Sequence, residues 1–289
     1  MKRKFAIVGA GKVGSALSRL LVRAGYEFVG AASRSAESAA AACAFAGAGR
    51  PTSDPTEVTL KAALVFLTTP DDAIRGVCEA LTGARALRVG TVLAHCSGAL
   101  PSTILESARG QGVRIGSMHP LQAFATAGQA VDLLPGSYCC IEGDPEAVMT
   151  LADAAAAIGM KALTIATHAK PLYHAAAVVA SNYLVALESA ALKLDEAAGI
   201  SPRDALNSLL PLVKGTVANL EKVGVTQSLT GPIVRGDVET VRRHLEAIKA
   251  GAPGLLTLYK ALGNEAIEIA VARGALGTAE AAELRAILQ

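Results

Sequence analysis

The pattern of apolar and polar positions is read most clearly at the start of the chain. Phe5-Ala6-Ile7-Val8 is an apolar run without a charge, which predicts a buried parallel strand rather than a half-exposed one. Gly9, Gly11 and Gly14 follow, and from Ser15 to Ala24 the apolar residues Ala16, Leu17, Leu20 and Leu21 return with helical spacing, stopping at Gly25. Further strands are expected at Glu27–Ala32, 63–68, 91–94, 114–117, 137–141 and 162–166. Helices are expected over 35–46, behind Thr69-Pro70-Asp71-Asp72, and behind Asp144-Pro145, where Asp144 is the N-cap and Pro145 the first helical residue. Residues 47–51 read as a Gly/Pro-containing turn.

From His168 onward the pattern changes and no strand is expected. Residues 168–198 read as one long helix ended by Gly199, with Pro171 in its first turn. Ser201-Pro202, Asp237, Pro253 and Thr278 mark later helix starts. The expected fold is α/β: a Rossmann, doubly wound and mostly parallel sheet over residues 1–167, followed by an all-helical domain over 168–289, with the active cleft between them.

The glycines give the first chemistry. G-x-G-x-x-G between a strand and a helix is the setting in which Gly9 makes the tight turn, Gly11 admits a pyrophosphate and Gly14 packs helix on strand. Residues Gly9, Ala10, Gly11, Lys12, Val13 and Gly14 are therefore expected to hold a dinucleotide at the helix N-terminus. An NAD site wants a carboxylate about 20 residues further on. That place reads Ser33-Arg34-Ser35, with no acid before Glu37, so a 2′-phosphate on Arg34, and NADP over NAD, is expected. Thr68, Thr69, Pro70 and His95 stand at strand ends and are expected to face the cofactor.

Candidate substrate residues lie further along. Ser97 and Gly98 follow His95-Cys96 at a strand end, and His119 lies in Met118-His119-Pro120. On the long helix, His174 lies about 40° and Ser181 about 20° from Lys170, so the three share one face, while Asn182 sits on another edge. Lys170 and His174 are the candidate proton donors. Thr230 and Arg235, in Leu229-Thr-Gly-Pro-Ile-Val-Arg-Gly-Asp237, are candidates for a substrate anion.

Composition narrows the classes. The chain has 289 residues, 52% hydrophobic but only 3% aromatic, so its core is Ala, Leu and Val. A net charge of +2 gives no electrostatic case for nucleic acid. No apolar stretch reads as long enough to span a bilayer, and no membrane partner is expected. Five cysteines without metal spacing, two of them adjacent in a strand, suggest buried thiols in a reducing, cytoplasmic setting and no metal site.

With these stretches in view, the chain resembles the Rossmann-like proteins whose C-terminal half is classed as domain of unknown function 2520. The resemblance rests on V-G-A-G-K-V-G, H-C-S-G-A-L, M-H-P-L-Q, Y-H-A-A-A-V-x-A-S-N and L-T-G-P-x-x-R-G-D, spanning Val8 to Asp237. That family is similar to pyrroline-5-carboxylate reductases, β-hydroxyacid dehydrogenases, prephenate dehydrogenases and imine reductases. The resemblance implies an NAD(P) domain, a helical second domain and a homodimer formed through the helices. In β-hydroxyacid dehydrogenases a Ser loop binds the substrate carboxylate, where this chain has Ser97 and Gly98. Lys170 matches their helix lysine, but His174 stands where they carry Asn. The Gly-Gly-Thr-Thr of the pyrroline enzymes is absent after Thr230-Gly231-Pro232. The expected function is an NADP-dependent reductase of a small carbonyl or imine substrate bearing a carboxylate. A dinucleotide-binding sensor or scaffold without turnover is the alternative, and a reductase with a deazaflavin partner a third reading.

Overall fold

The computed structural model describes residues 3–289, which divide by their contacts into two units, one ending at Ser181 and the other Asn182–Gln289. The sequence reading set the boundary at 167/168. The first turns of the next helix carry Lys170, which is buried against the sheet, and so they go with the first unit.

The first unit is built on eight strands: β1 (Lys4–Val8), β2 (Glu27–Ala32), β3 (Arg50–Thr52), β4 (Leu64–Leu67), β5 (Val92–His95), β6 (Arg114–Leu121), β7 (Tyr138–Gly143) and β8 (Lys161–Thr164). Seven helices accompany them: α1 (Lys12–Arg23), α2 (Ala36–Ala46), α3 (Thr56–Thr59), α4 (Asp71–Gly83), α5 (Ala127–Leu133), α6 (Pro145–Ala157) and α7 (Lys170–Ala180). The sheet order is β3-β2-β1-β4-β5-β6-β7-β8, parallel except where β7 runs against β6. The chain winds outward from β1 to β3, then returns to β4 beside β1. That reversal opens a crevice at the carboxyl ends of β1 and β4.

The strand alternation sets the two faces. Phe5, Ile7, Phe66, Ala94, Met118 and Ile141 pack on one side, and Ala6, Val65, Leu93 and Ile115 on the other. The second face changes character at β6 and β7. Ser117 pairs with Glu142 and His119 with Cys140 in the ladder, and all four follow Ile115 on that face by the two-residue period. This polar end of an otherwise apolar face is where α7 begins.

Several elements depart from the sequence reading. Residues 50–52 form β3 rather than only a turn; three residues with Pro51 on the outer strand show no alternation to detect. β6 continues through Met118-His119-Pro120-Leu121 because β7 pairs with it there. The segment Ser102–Gln111, given no element by the sequence pattern, is a 3₁₀ run. The long helix is broken: α7 ends at Ala180, Ser181 leaves helical geometry (φ −114°, ψ −65°) and α8 begins at Asn182.

The second unit contains α8 (Asn182–Ala197), α9 (Pro202–Ser228, broken at Gly224), α10 (Val238–Gly251), α11 (Leu256–Ala272) and α12 (Thr278–Ile287). Val241, Ile267, Ala270, Leu276, Leu284 and Leu288 form its core. The caps are as read: the Ser201 hydroxyl accepts from the Asp204 N–H, and Asp237 accepts from Thr240. Against the sequence reading, the helical stretch Thr167–Ala197 is long and apolar enough to cross a membrane by length and composition, with a mean hydropathy of 1.5. Lys170, His174 and Ser181-Asn182 interrupt it, so it does not stand out as an unbroken apolar run. Helices that pack against protein pass the same test.

Candidate active site

A cavity of about 600 Å³ occupies the crevice at the ends of β1 and β4. Gly9, Ala10, Gly11, Ser33, Arg34, Thr68, Thr69 and Pro70 line it, joined by Ser38, Ser53 and Pro55. Of the residues assigned to the cofactor from sequence, Lys12, Val13, Gly14, Ser35 and His95 are not on its wall. Val13 packs on the core, Gly14 fits under the Gly9 carbonyl and Ser35 caps α2. Gly9 holds φ +107° with its α-carbon against the Thr68 and Thr69 backbone, where any side chain would collide. Gly11 faces open space instead.

The fit to a dinucleotide rests on what this wall offers. Helix α1 follows Gly11 at its N-cap, with no side-chain cap and no acidic residue in its first turn, so its leading N–H groups are free for an anion. The Thr69 hydroxyl is buried without a partner. Arg34 is exposed and, among the described residues, has no salt bridge.

Beside this cavity the β5 loop is locked to α4. The Ser97 hydroxyl donates to Asp71 (2.7 Å) and accepts from the Ala99 and Leu100 N–H groups (3.2 and 3.0 Å). That hydroxyl, read from sequence as a substrate anchor, is therefore committed to holding its own loop. His95 is fully buried and accepts from the Ser97 N–H at Nδ1. Burial, then the charge of Lys170, pushes it down to about 3, so it is a neutral core histidine.

On the polar end of the sheet, the first turn of α7 buries Lys170 completely. Its Nζ donates to the Ser117 hydroxyl and pairs with Glu142 at 3.5 Å. Glu142 also accepts from the Ser102 N–H (2.8 Å) and hydroxyl (2.7 Å), so this buried carboxylate is paired on both oxygens. Burial lowers the Lys170 pKa, and Glu142 works against that shift. Read from sequence as a proton donor, Lys170 is sealed from solvent.

The next residues of α7 meet His119. The Tyr173 hydroxyl lies 3.2 Å from His119 Nδ1. The His119 and His174 rings stand edge-on, 5.7 Å between centroids and 82° apart. Both rings press on Gly98: a side chain there would come within 2.8 Å of His119 Nε2 and closer still to His174 Nδ1. Gly98 is what lets the two imidazoles converge. His174 Nδ1 is buried without a partner. Burial, then Lys170, then His174 pushes His119 down to about 4, and burial raises Tyr173.

The structure thus brings together Lys170, His174, His119 and Gly98, and leaves Ser181 exposed at the end of α7. Asn182, Thr230 and Arg235 are exposed residues of the second unit. Sequence reasoning missed Glu142, Ser102, Ser117 and Tyr173. A carboxylate directly after the apolar run Cys139-Cys140-Ile141 was the available signal for Glu142, since a buried strand tolerates one only with partners.

Residues 1–120 match the model for a Rossmann-like domain, and residues 137–266 match that for domain of unknown function 2520. Comparison with curated proteins gives no significant match. Among solved structures, the chain is similar to protein TM1727 from Thermotoga maritima, with 29% identity and a TM-score of 0.73 over 93% of this chain and 99% of that one. It is similar in fold to BF3122 from Bacteroides fragilis, described as a candidate NADP oxidoreductase, at 24% identity and TM-score 0.70 over 92% and 98% of the chains. It is also similar in fold to a reductive aminase from Aspergillus terreus in complex with NADPH and ethyl levulinate, at 18% identity and TM-score 0.64 over 98% of each.

Proposed function

We propose that this chain, which carries a Rossmann-like domain followed by domain of unknown function 2520, is an NADP-dependent reductase of a small carbonyl or imine substrate bearing a carboxylate. The observation that carries the reading is the cavity at the β1/β4 reversal, with an uncapped helix at one side and Arg34 and Ser33 at the other. The nicotinamide, when bound, supplies the hydride. Gly9 to Gly11 and the start of α1 hold the pyrophosphate, and Arg34, with Ser33 and Ser38 beside it, holds the 2′-phosphate. Thr69 gains a partner for its buried hydroxyl.

The proton falls to His174 rather than Lys170. The lysine is spent on Glu142 and Ser117, whereas His174 Nδ1 has no protein partner. The NADPH complex of the similar reductive aminase supports the cofactor choice.

A fluorescence titration with NADPH and NADH, repeated on Arg34→Ala, tests the reading. NADPH is expected to bind more tightly, and the variant to lose about 10- to 100-fold of that affinity while NADH is unchanged, as removal of a charge-assisted phosphate contact requires. Equal affinity for the two nucleotides, or binding of neither, overturns it. A second reading, a dinucleotide sensor without turnover, is favoured by the sealing of Lys170. It predicts NADPH binding with no consumption across a panel of small ketones, keto acids and cyclic imines.

A further inference from the structure

We propose that His119, held in one neutral tautomer by Tyr173, is the hydrogen-bond donor that polarises the substrate C=O or C=N, and that Tyr173 is its positioning residue. The inference rests on the reductase reading and adds a second catalytic group to it.

The tautomer follows from the partners. The Tyr173 hydroxyl has two side chains in reach, His119 Nδ1 at 3.2 Å and the Cys140 thiol, and of the two the imidazole nitrogen is much the stronger acceptor. A buried phenol left without an acceptor is costly, so the O–H donates and Nδ1 accepts. The ring proton then belongs to Nε2. That nitrogen has no partner among the described residues and points at the Gly98 backbone, beside His174 Nδ1. Two imidazole nitrogens, one carrying a proton and one unpartnered, stand side by side against the Gly98 α-carbon. A carbonyl oxygen or imine nitrogen that reaches Nε2 meets a fixed donor, which gains strength as negative charge develops.

The surroundings keep the ring neutral. Lys170, Tyr173 and His174 face it from α7, Cys140 and Glu142 from β7, and His95 from the end of β5. Glu142 is the carboxylate of this group and is consumed by Lys170 and Ser102, so none is left to stabilise an imidazolium. A neutral imidazole can donate to a carbonyl without transferring its proton, which leaves that transfer to His174.

The chain has five histidines, so imidazole ¹⁵N resonances can be assigned with His119→Gln as the reference. In the wild-type protein, long-range ¹H–¹⁵N spectra between pH 8 and 5 are expected to show His119 protonated at Nε2 only and not titrating. Tyr173→Phe is expected to give a mixture of tautomers. On the best substrate of the reductase panel, the same variant is expected to lower kcat about 10-fold with little change in KM, and His119→Phe about 100-fold. A wild-type ring protonated at Nδ1, a titration near 6.5, or a Tyr173→Phe spectrum like the wild type overturns the proposal. A panel without turnover instead sinks the reductase reading, while the tautomer is still decided by the spectra.

Discussion

The cost of burying one charged residue explains why Lys170 and Glu142 occur together. Each is fully buried, and neither could stay ionised there without the other and the hydrogen bonds from Ser102 and to Ser117. Removing one partner strands the other. Lys170→Met is therefore expected to destabilise the protein by about 3–5 kcal/mol in urea unfolding. Adding Glu142→Gln, which removes the stranded charge, should return a large part of that loss. If the double variant is no more stable than the single one, the two side chains are not coupled as the 3.5 Å pair implies. A lysine that acts only through its neighbours leaves nucleotide binding intact in any double variant that folds.

At the scale of elements, most of the sheet was legible because buried parallel strands read as short apolar runs and their helices end on visible glycines. β1, β2 and α1 with its glycine turn needed nothing beyond local pattern. What stayed hidden was set by partners distant in sequence. β6 was read short because its second half is defined by β7, and Glu142 was passed over because its partners lie at 102 and 170. Gly98 was read as loop chemistry, although its role is to make room for two rings from β6 and α7. The expected homodimer is a proposal at this scale. Helix α8 has no buried residue and α9 only Ala205, yet Tyr183, Val185, Leu212, Val217 and Val225 stand exposed on them. An apolar surface of that kind is rarely left to water, and a second copy covering it accounts for both helices. Sedimentation velocity is expected to give twice the chain mass, and Leu212→Glu with Val225→Glu to shift it toward the monomer. A wild-type monomer at micromolar concentration removes the proposal.

For the molecule as a whole, the two neutral histidines of the site make folding sensitive to acid. His95 and His119 sit at about 3 and about 4 when folded, against an ordinary value of about 6.5 in the unfolded chain. Their stability contribution is complete above pH 6.5. As pH falls below that, the unfolded chain takes up protons the folded chain refuses, so stability drops until the folded values are reached. Each histidine costs at most about 1.4 kcal/mol per pH unit in that window, and the pair at most about 2.7. Between pH 6.5 and 5 most exposed carboxylates are still ionised, so the histidines dominate the slope there. Urea midpoints are expected to fall steadily over this range, and His119→Gln to remove about half of the dependence. A midpoint that stays level from pH 6.5 to 5 would mean that one or both rings accept a proton in the folded state. The neutral donor assigned to His119 would then be untenable, whatever the protein reduces.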